Sequence, residues 1–254
     1  MAEQVEEFTK VASTFVRERN CLWVEADFSP IFTDHYLHLM DIGEKHPESL
    51  DTPLKELLAV LTLHLTARPW AETIAWTANL RAPRVNFFAT GSSTNEYVVG
   101  RIFTEDVREP DRNFLYSQTT TPGGEPRTST IEAPGLSPLE WIQHFYDQSE
   151  QRPGRAFHLD GDRYALVAAQ PDFDEEWFES LTADSVKTIA ETEKTKTLET
   201  RKFRFHCGCN LDRILPTLGA WKDKPEELFG DAPTLTLQCP RCAKKYQVAR
   251  EDLQ

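Results

Sequence analysis

Residues 205–209 read Phe-His-Cys-Gly-Cys, and residues 237–242 read Leu-Gln-Cys-Pro-Arg-Cys. Four thiols in two tight pairs, separated by 29 residues, suit one tetrahedral zinc ion. A Cys-X-X-Cys turn aims two sulfurs at one ion with backbone amides facing them, and the other pair must fold back to close the site. Cys207, Cys209, Cys239 and Cys242 are therefore the candidate metal ligands. The 54 residues around them cannot hold together by apolar burial alone, so metal binding would supply much of their folding free energy. His206 adjoins the first pair, but four sulfurs already fill a tetrahedral site. Cys21, without a partner nearby in sequence, reads as a buried free thiol. Arg204, His206, Arg241, Lys244 and Lys245 put positive charge near the pairs, which favours thiolates and hence both metal binding and reaction with oxidants. A solvated surface is the other reading of those charges.

Working outward, the charge of the chain divides at the cysteine segment. The whole chain of 254 residues carries 28 Lys and Arg against 41 Asp and Glu, a net charge of -13. Residues 201–254 are +3 and residues 1–200 are -16. So acidic a chain opposes phosphate-driven binding to nucleic acid. Even the +3 segment falls to about +1 once four thiolates and one zinc ion are counted, too little for strong phosphate attraction. No apolar run approaches the roughly 20 residues of a membrane span, and the acidic start MAEQVEEF lacks the positive and apolar parts of a secretory signal. The expected location is the cytoplasm, where thiols stay reduced and clustered cysteines serve as metal ligands or redox groups.

Before the cysteines the pattern is α+β. Leu54, Leu57, Leu58, Leu61 and Leu65 recur at helical spacing, with Thr52 as N-cap, Pro53 at the first helical position and Pro69 as the stop. A second helix opens at Ser137-Pro138-Leu139-Glu140, a capping box with Leu136 and Trp141 as a hydrophobic staple, and runs to about Pro153. Residues 7–18 and 31–46 also read as helical. Strands are expected at Thr73 to Leu80, Val85 to Thr90, Glu96 to Phe103, Arg127 to Glu132 and Ala156 to Ala169, the last folded into a hairpin at Asp160-Gly161. Residues 172–200 form a polar, helical connector whose Phe173, Trp177, Phe178, Leu181, Val186 and Ile189 dock on something. The expected organisation is thus a mixed helix and sheet core over 1–171, a linker over 172–200 and a small zinc-binding domain over 201–254.

No phosphate-cradling loop or nucleophile motif is found, so no enzymatic activity is expected. His64 on the leucine-rich helix reads as a packed or surface histidine. Asp172, Asp174, Glu175, Glu176 and Glu179 read as a charge run leading into the connector rather than as acid and base groups.

These residues resemble the heat shock protein 33 family of redox-regulated holdase chaperones. The likeness rests on Phe-His-Cys-Gly-Cys, Leu211-Asp-Arg, Glu226-Glu227-Leu228, Leu237-Gln-Cys-Pro-Arg-Cys, Tyr246 and Glu251-Asp-Leu. A second stretch, His144-Phe-Tyr-Asp-Gln-Ser-Glu-Gln-Arg-Pro153, is similar to the family's aromatic helix. The departures are Arg81-Ala-Pro83 where the family has a Gly-rich turn, Ala168-Ala169 where it has paired glycines, and a shorter linker. The resemblance implies a substrate-binding core, a linker and a sensor domain. Cys207, Cys209, Cys239 and Cys242 would hold one zinc ion when reduced and form Cys207–Cys209 and Cys239–Cys242 disulfides when oxidised. It also implies unfolding client proteins as partners, a role in oxidative stress, and homodimers of the oxidised chain. The competing readings are a constitutive zinc-folded interaction module, a nucleic acid ribbon, and a metalloenzyme, the last disfavoured because four sulfurs leave no open coordination position.

Overall fold

A computed structural model describes residues 7–68 and 71–253. In chain order the core consists of β1 (Thr9–Val16), β2 (Cys21–Asp27), α1 (Ser29–Ile42), α2 (Glu48–Ala67), β3 (Thr73–Leu80), β4 (Val85–Ser92), β5 (Tyr97–Phe103), β6 (Phe114–Thr120), β7 (Arg127–Glu132), α3 (Pro138–Phe145), β8 (Gly154–His158) and β9 (Arg163–Ala169). Three short helices follow, α4 (Glu175–Glu179), α5 (Ala183–Lys187) and α6 (Ile189–Thr192), and then β10 (Thr195–Phe205). The C-terminal module holds α7 (Leu211–Ile214), α8 (Pro225–Phe229), β11 (Thr234–Gln238) and β12 (Lys245–Ala249). The fold is α+β, as the sequence pattern indicates.

Ten strands among the described residues form one sheet in the order β7-β6-β3-β4-β5-β10-β1-β2-β9-β8. Its neighbours are antiparallel except at the seam, where β5 and β10 run parallel through Arg204 opposite Tyr97 and Phe205 opposite Val98. The leucine helix α2 lies across one face, with Leu54, Leu57, Leu58, Leu61 and Leu65 fully buried. Two glycines permit that approach. A Cβ on Gly91 would stand 2.6 Å from Leu65 Cδ1, and one on Gly100 would stand 2.7 Å from the Phe88 carbonyl and 3.1 Å from Leu58 Cδ2.

Several sequence expectations are corrected. Residues 7–18 are not a helix: β1 is rich in β-branched residues and lies between β2 and β10, so pairing outweighs the weak helical spacing. Helix α1 ends at Gly43 rather than at 46, because Gly43 takes the left-handed conformation (φ 68°) and its N–H bonds back to the last turn. Helix α2 begins at Glu48, with Glu48 and Asp51 in its first turn, so Thr52 is not the cap and Pro53 lies within the helix. Arg68 is already extended, the usual conformation before proline, while Pro69 itself lies outside the described residues. Ser137 is the N-cap of α3, but its side chain makes no capping hydrogen bond, and after Phe145 the helix widens into a π turn, Tyr146–Glu150. Strand β6, which no sequence signal singled out, completes the sheet beside β3 and β7. The connector is helical only to Thr192. From Thr195 the chain is strand β10, so the boundary expected at 200/201 falls inside the core sheet.

The other face of the β1-β2-β9-β8 half carries Val16, Cys21, Trp23, Phe157, Ala165 and Val167, and it is covered by Phe178, Leu181, Val186 and Ile189 of the connector. Arg19 joins the two ends of that cover, 2.5 Å from Asp174 and 3.0 Å from Glu193. Asp174 also accepts from the Trp177 N–H, which makes it the cap of α4. Within the acidic run, Asp174 thus has a structural task.

Two histidines are buried in the core. His64 has Nδ1 3.1 Å from the Tyr146 hydroxyl amid Trp76, Phe145 and Tyr146. His35 packs against Phe205, and neither of its ring nitrogens has a hydrogen-bond partner. Burial lowers the His35 pKa to about 4 from 6.5. Between those values the unfolded chain binds a proton at this ring and the folded chain does not, so stability falls as pH drops through the window, by roughly 3 kcal/mol at ~1.4 kcal/mol per unit. Urea midpoints at pH 7 and pH 5 should show a smaller acid loss for His35→Phe than for the wild type, and equal losses would contradict this assignment.

Candidate metal centre

The Sγ atoms of Cys207, Cys209, Cys239 and Cys242 all lie within 4.8 Å of one another. Cys207 and Cys239 approach to 3.7 Å and Cys209 and Cys242 to 3.4 Å. A tetrahedron with metal–sulfur bonds near 2.3 Å has edges of about 3.8 Å, so the four sulfurs fit one ion of that size. All four are free thiols, the first pair half-buried and the second buried.

Local backbone features explain the arrangement. Gly208 has φ +64°, a left-handed conformation that costs glycine little and turns the chain between Cys207 and Cys209. After the second pair, Ala243 is also left-handed (φ 66°), its N–H bonds to the Cys239 carbonyl at 3.0 Å, and the Cys239 N–H bonds to the Lys244 carbonyl at 2.8 Å. The Tyr246 hydroxyl donates to the Cys209 carbonyl at 2.9 Å and lies 3.1 Å from its sulfur.

Without a cation, four sulfurs this close cannot all be thiolates. Hydrogen bonds from Cys207 and then Cys242 hold Cys239 below the ordinary thiol range. The same contact with Cys239 pushes Cys207 up to about 12, and the Cys242 thiol is pushed up first by its hydrogen bond with Cys207. A divalent ion would release the remaining protons.

The surrounding cations divide. Arg241 donates to the Cys207 carbonyl at 3.4 Å and sits over the Tyr97 ring, whereas Lys244 pairs with Asp41 at 3.3 Å and Lys245 is exposed. Arg204 lies over the Phe8 ring. His206 is exposed and outside the four-sulfur group. Two contacts from the core, Arg101 on the Cys239 carbonyl and His38 on the Cys242 carbonyl, carried no local signal in the sequence.

Cys21 lies far along the sheet from the cluster. It is fully buried under the connector, its S–H donates to the Arg19 carbonyl at 3.3 Å, and burial, with Asp174 nearby, pushes its pKa up to about 12. In the native, metal-loaded chain Cys21 should resist iodoacetamide at pH 8 and be alkylated only on unfolding. Fast native labelling at Cys21 would contradict its burial.

Residues 158–249 match the model of the Hsp33 protein family. The fold is similar to that of the 33 kDa chaperonin (heat shock protein 33 homologue) from Thermotoga maritima, with a TM-score of 0.76 at 14% identity over 97% of each chain. The C-terminal part of the chain, with the connector and both cysteine pairs, is thus similar in sequence to the Hsp33 family. The Hsp33 model match runs from the end of β8 through the connector and both cysteine pairs to the end of β12. The preceding part, including α2 and α3, is tied to Hsp33 by fold alone. No curated protein matches the chain.

Among the described residues, no helix is long and apolar enough to cross a membrane.

Proposed function

We propose that the chain is an ATP-independent chaperone that holds unfolding proteins, switched on when oxidants release zinc from Cys207, Cys209, Cys239 and Cys242. The observation that carries this reading is the convergence of four sulfurs from a module whose own apolar cluster, among the described residues, is Leu218, Phe229 and Val248 with a few half-buried neighbours. Such a module depends on its metal for order. In this reading residues 1–171 and β10 form the client-binding core, 172–192 are the connector and 206–254 are the sensor. The protein works in the cytoplasm, and its oxidised form dimerises.

The chemistry balances with peroxide as oxidant. Each peroxide accepts two electrons from two thiolates and two protons from solvent, its O–O bond breaks, one S–S bond forms and two waters leave. Two peroxides oxidise all four ligands, and zinc departs as the free ion. Cys207–Cys209 and Cys239–Cys242 are the expected pairs, although the shortest sulfur contacts run across them. Once the module loosens, closing a loop of a few residues costs far less entropy than closing one of about 30. In this reading loss of module order is relayed along β10, which joins the module to the connector, so that the cover loosens and the apolar sheet face beneath it becomes available to clients.

The test is to heat a thermally unfolding model enzyme without nucleotide, alone or with reduced or peroxide-treated chain. Suppression of light scattering by the oxidised chain supports the proposal. Zinc loss on oxidation with no gain in suppression favours the constitutive zinc-folded interaction module instead.

A further inference from the structure

The second cysteine pair is gripped from outside its own module. Arg101 on β5 donates from Nη1 to the Cys239 carbonyl at 3.0 Å and from Nη2 to Gln238 Oε1 at 3.2 Å. Its guanidinium lies over the ring of Phe103, 4.1 Å from the centroid, two residues along the strand and on the same face. The arginine is therefore held in place before it meets the module. His38 on α1 has Nε2 2.7 Å from the Cys242 carbonyl, and because a carbonyl only accepts, Nε2 carries the proton and donates. The Cys239 carbonyl already accepts the Ala243 N–H, so Arg101 takes its second lone pair. Arg241, inside the turn, also lies over the Tyr97 ring of β5, whereas the links of Lys244 with Asp41 and Gln238 with Glu44 are solvent-exposed contacts of little energetic weight.

We propose that Arg101 and His38 are positioning residues that fasten the Cys239 to Cys242 turn to the core and thereby slow escape of the metal. The inference rests on the metal-centre reading above. For an ion to leave, one sulfur must first swing away, and a turn fixed at the carbonyls of both its ligands cannot swing without breaking these contacts. The Arg101 charge also offsets the net -2 of a zinc ion with four thiolates. Side chains that orient ligands in this way typically change metal affinity by about 10–100-fold. By linkage, whatever loosens α1 or β5 in the core weakens the metal site by the same factor that the metal strengthens the docking. The sensor would then register the state of the core as well as the oxidant.

The experiment uses the full reduced chain, loaded with zinc under inert gas, and follows release of zinc into an excess of a chromogenic chelator. Arg101→Met keeps the stem without the donors and should release zinc about 10–100-fold faster than the wild type. Arg101→Lys, whose single ammonium cannot span the Cys239 carbonyl and Gln238, should fall between them. His38→Phe keeps the ring and should also accelerate release, while Lys244→Met should stay within about twofold of the wild type. Hydrogen exchange on the same samples should rise at residues 239–243 in Arg101→Met and remain unchanged in β1 to β4. Wild-type release rates in both Arg101→Met and His38→Phe would overturn the proposal, as would acceleration accompanied by equal loosening of the whole core. If Arg101→Met fails to fold, His38→Phe decides alone. A wild-type chain that takes up no zinc would remove the metal-centre reading and this inference with it, whereas normal uptake with unchanged release overturns only the inference.

Discussion

Replacing Cys239 and Cys242 together with serine is expected to reduce bound zinc from one ion per chain to near zero and to unfold residues 206–254. The two lost ligands leave at most a two-sulfur site, and structural zinc in small modules contributes about 10–16 kcal/mol to folding. The apolar cluster of Leu218, Phe229 and Val248 is too small to replace that contribution. The large core around α2, whose cluster takes Cys239 and Cys242 from the module but is otherwise built of residues from the sheet and its helices, should persist. Limited proteolysis of the double variant, and of the wild type after chelation under reducing conditions, should therefore cut the C-terminal module while residues 50–170 resist. Cys21→Ser should keep its zinc, because Cys21 is buried under the connector and away from the cluster. Metal retained by the double variant, or lost from Cys21→Ser, would contradict the ligand assignment.

The second large effect is expected at Val186. It is fully buried on α5, where the connector closes over Trp23, Phe157, Ala165 and Val167. A carboxylate at this position, introduced as Val186→Asp, has no cation to meet among the residues of that apolar cluster, and burying it costs several kcal/mol. The connector consists of three short helices with no long helix to hold it in place. Release of the cover is the least costly response. Reduced, zinc-loaded Val186→Asp should therefore suppress aggregation about as well as oxidised wild type, with its metal still bound. If protease mapping shows the connector freed and the reduced variant remains inactive, the covered sheet face is not the client surface.

Much of this architecture is legible in the sequence where periodicity is strict. The leucines of α2 and the alternation in β3 mark their elements because a core on one side imposes one period on each. Strand β1 is less legible, since its identity depends on β10, nearly 200 residues away, rather than on its own pattern. Strand β10 itself is hidden within a polar stretch, Thr-Lys-Thr-Leu-Glu-Thr, that buries little until Arg201, Phe203 and Phe205. The four cysteines are legible because metal chemistry demands a fixed spacing. Arg101 and His38 are not, because they reach the cysteine carbonyls from distant elements and a backbone acceptor leaves no mark on the sequence of its donor.

The central claim, that metal release and chaperone activity are one event, is tested most directly by measuring both on the same sample through time. Peroxide is added to the reduced, zinc-loaded chain, and aliquots are assayed for released zinc and for suppression of light scattering by a heated model enzyme, before and after return to reductant and zinc. The account predicts that activity rises with zinc release and falls again on re-reduction. Equal suppression at every stage, or complete zinc release with no suppression at any stage, would contradict it.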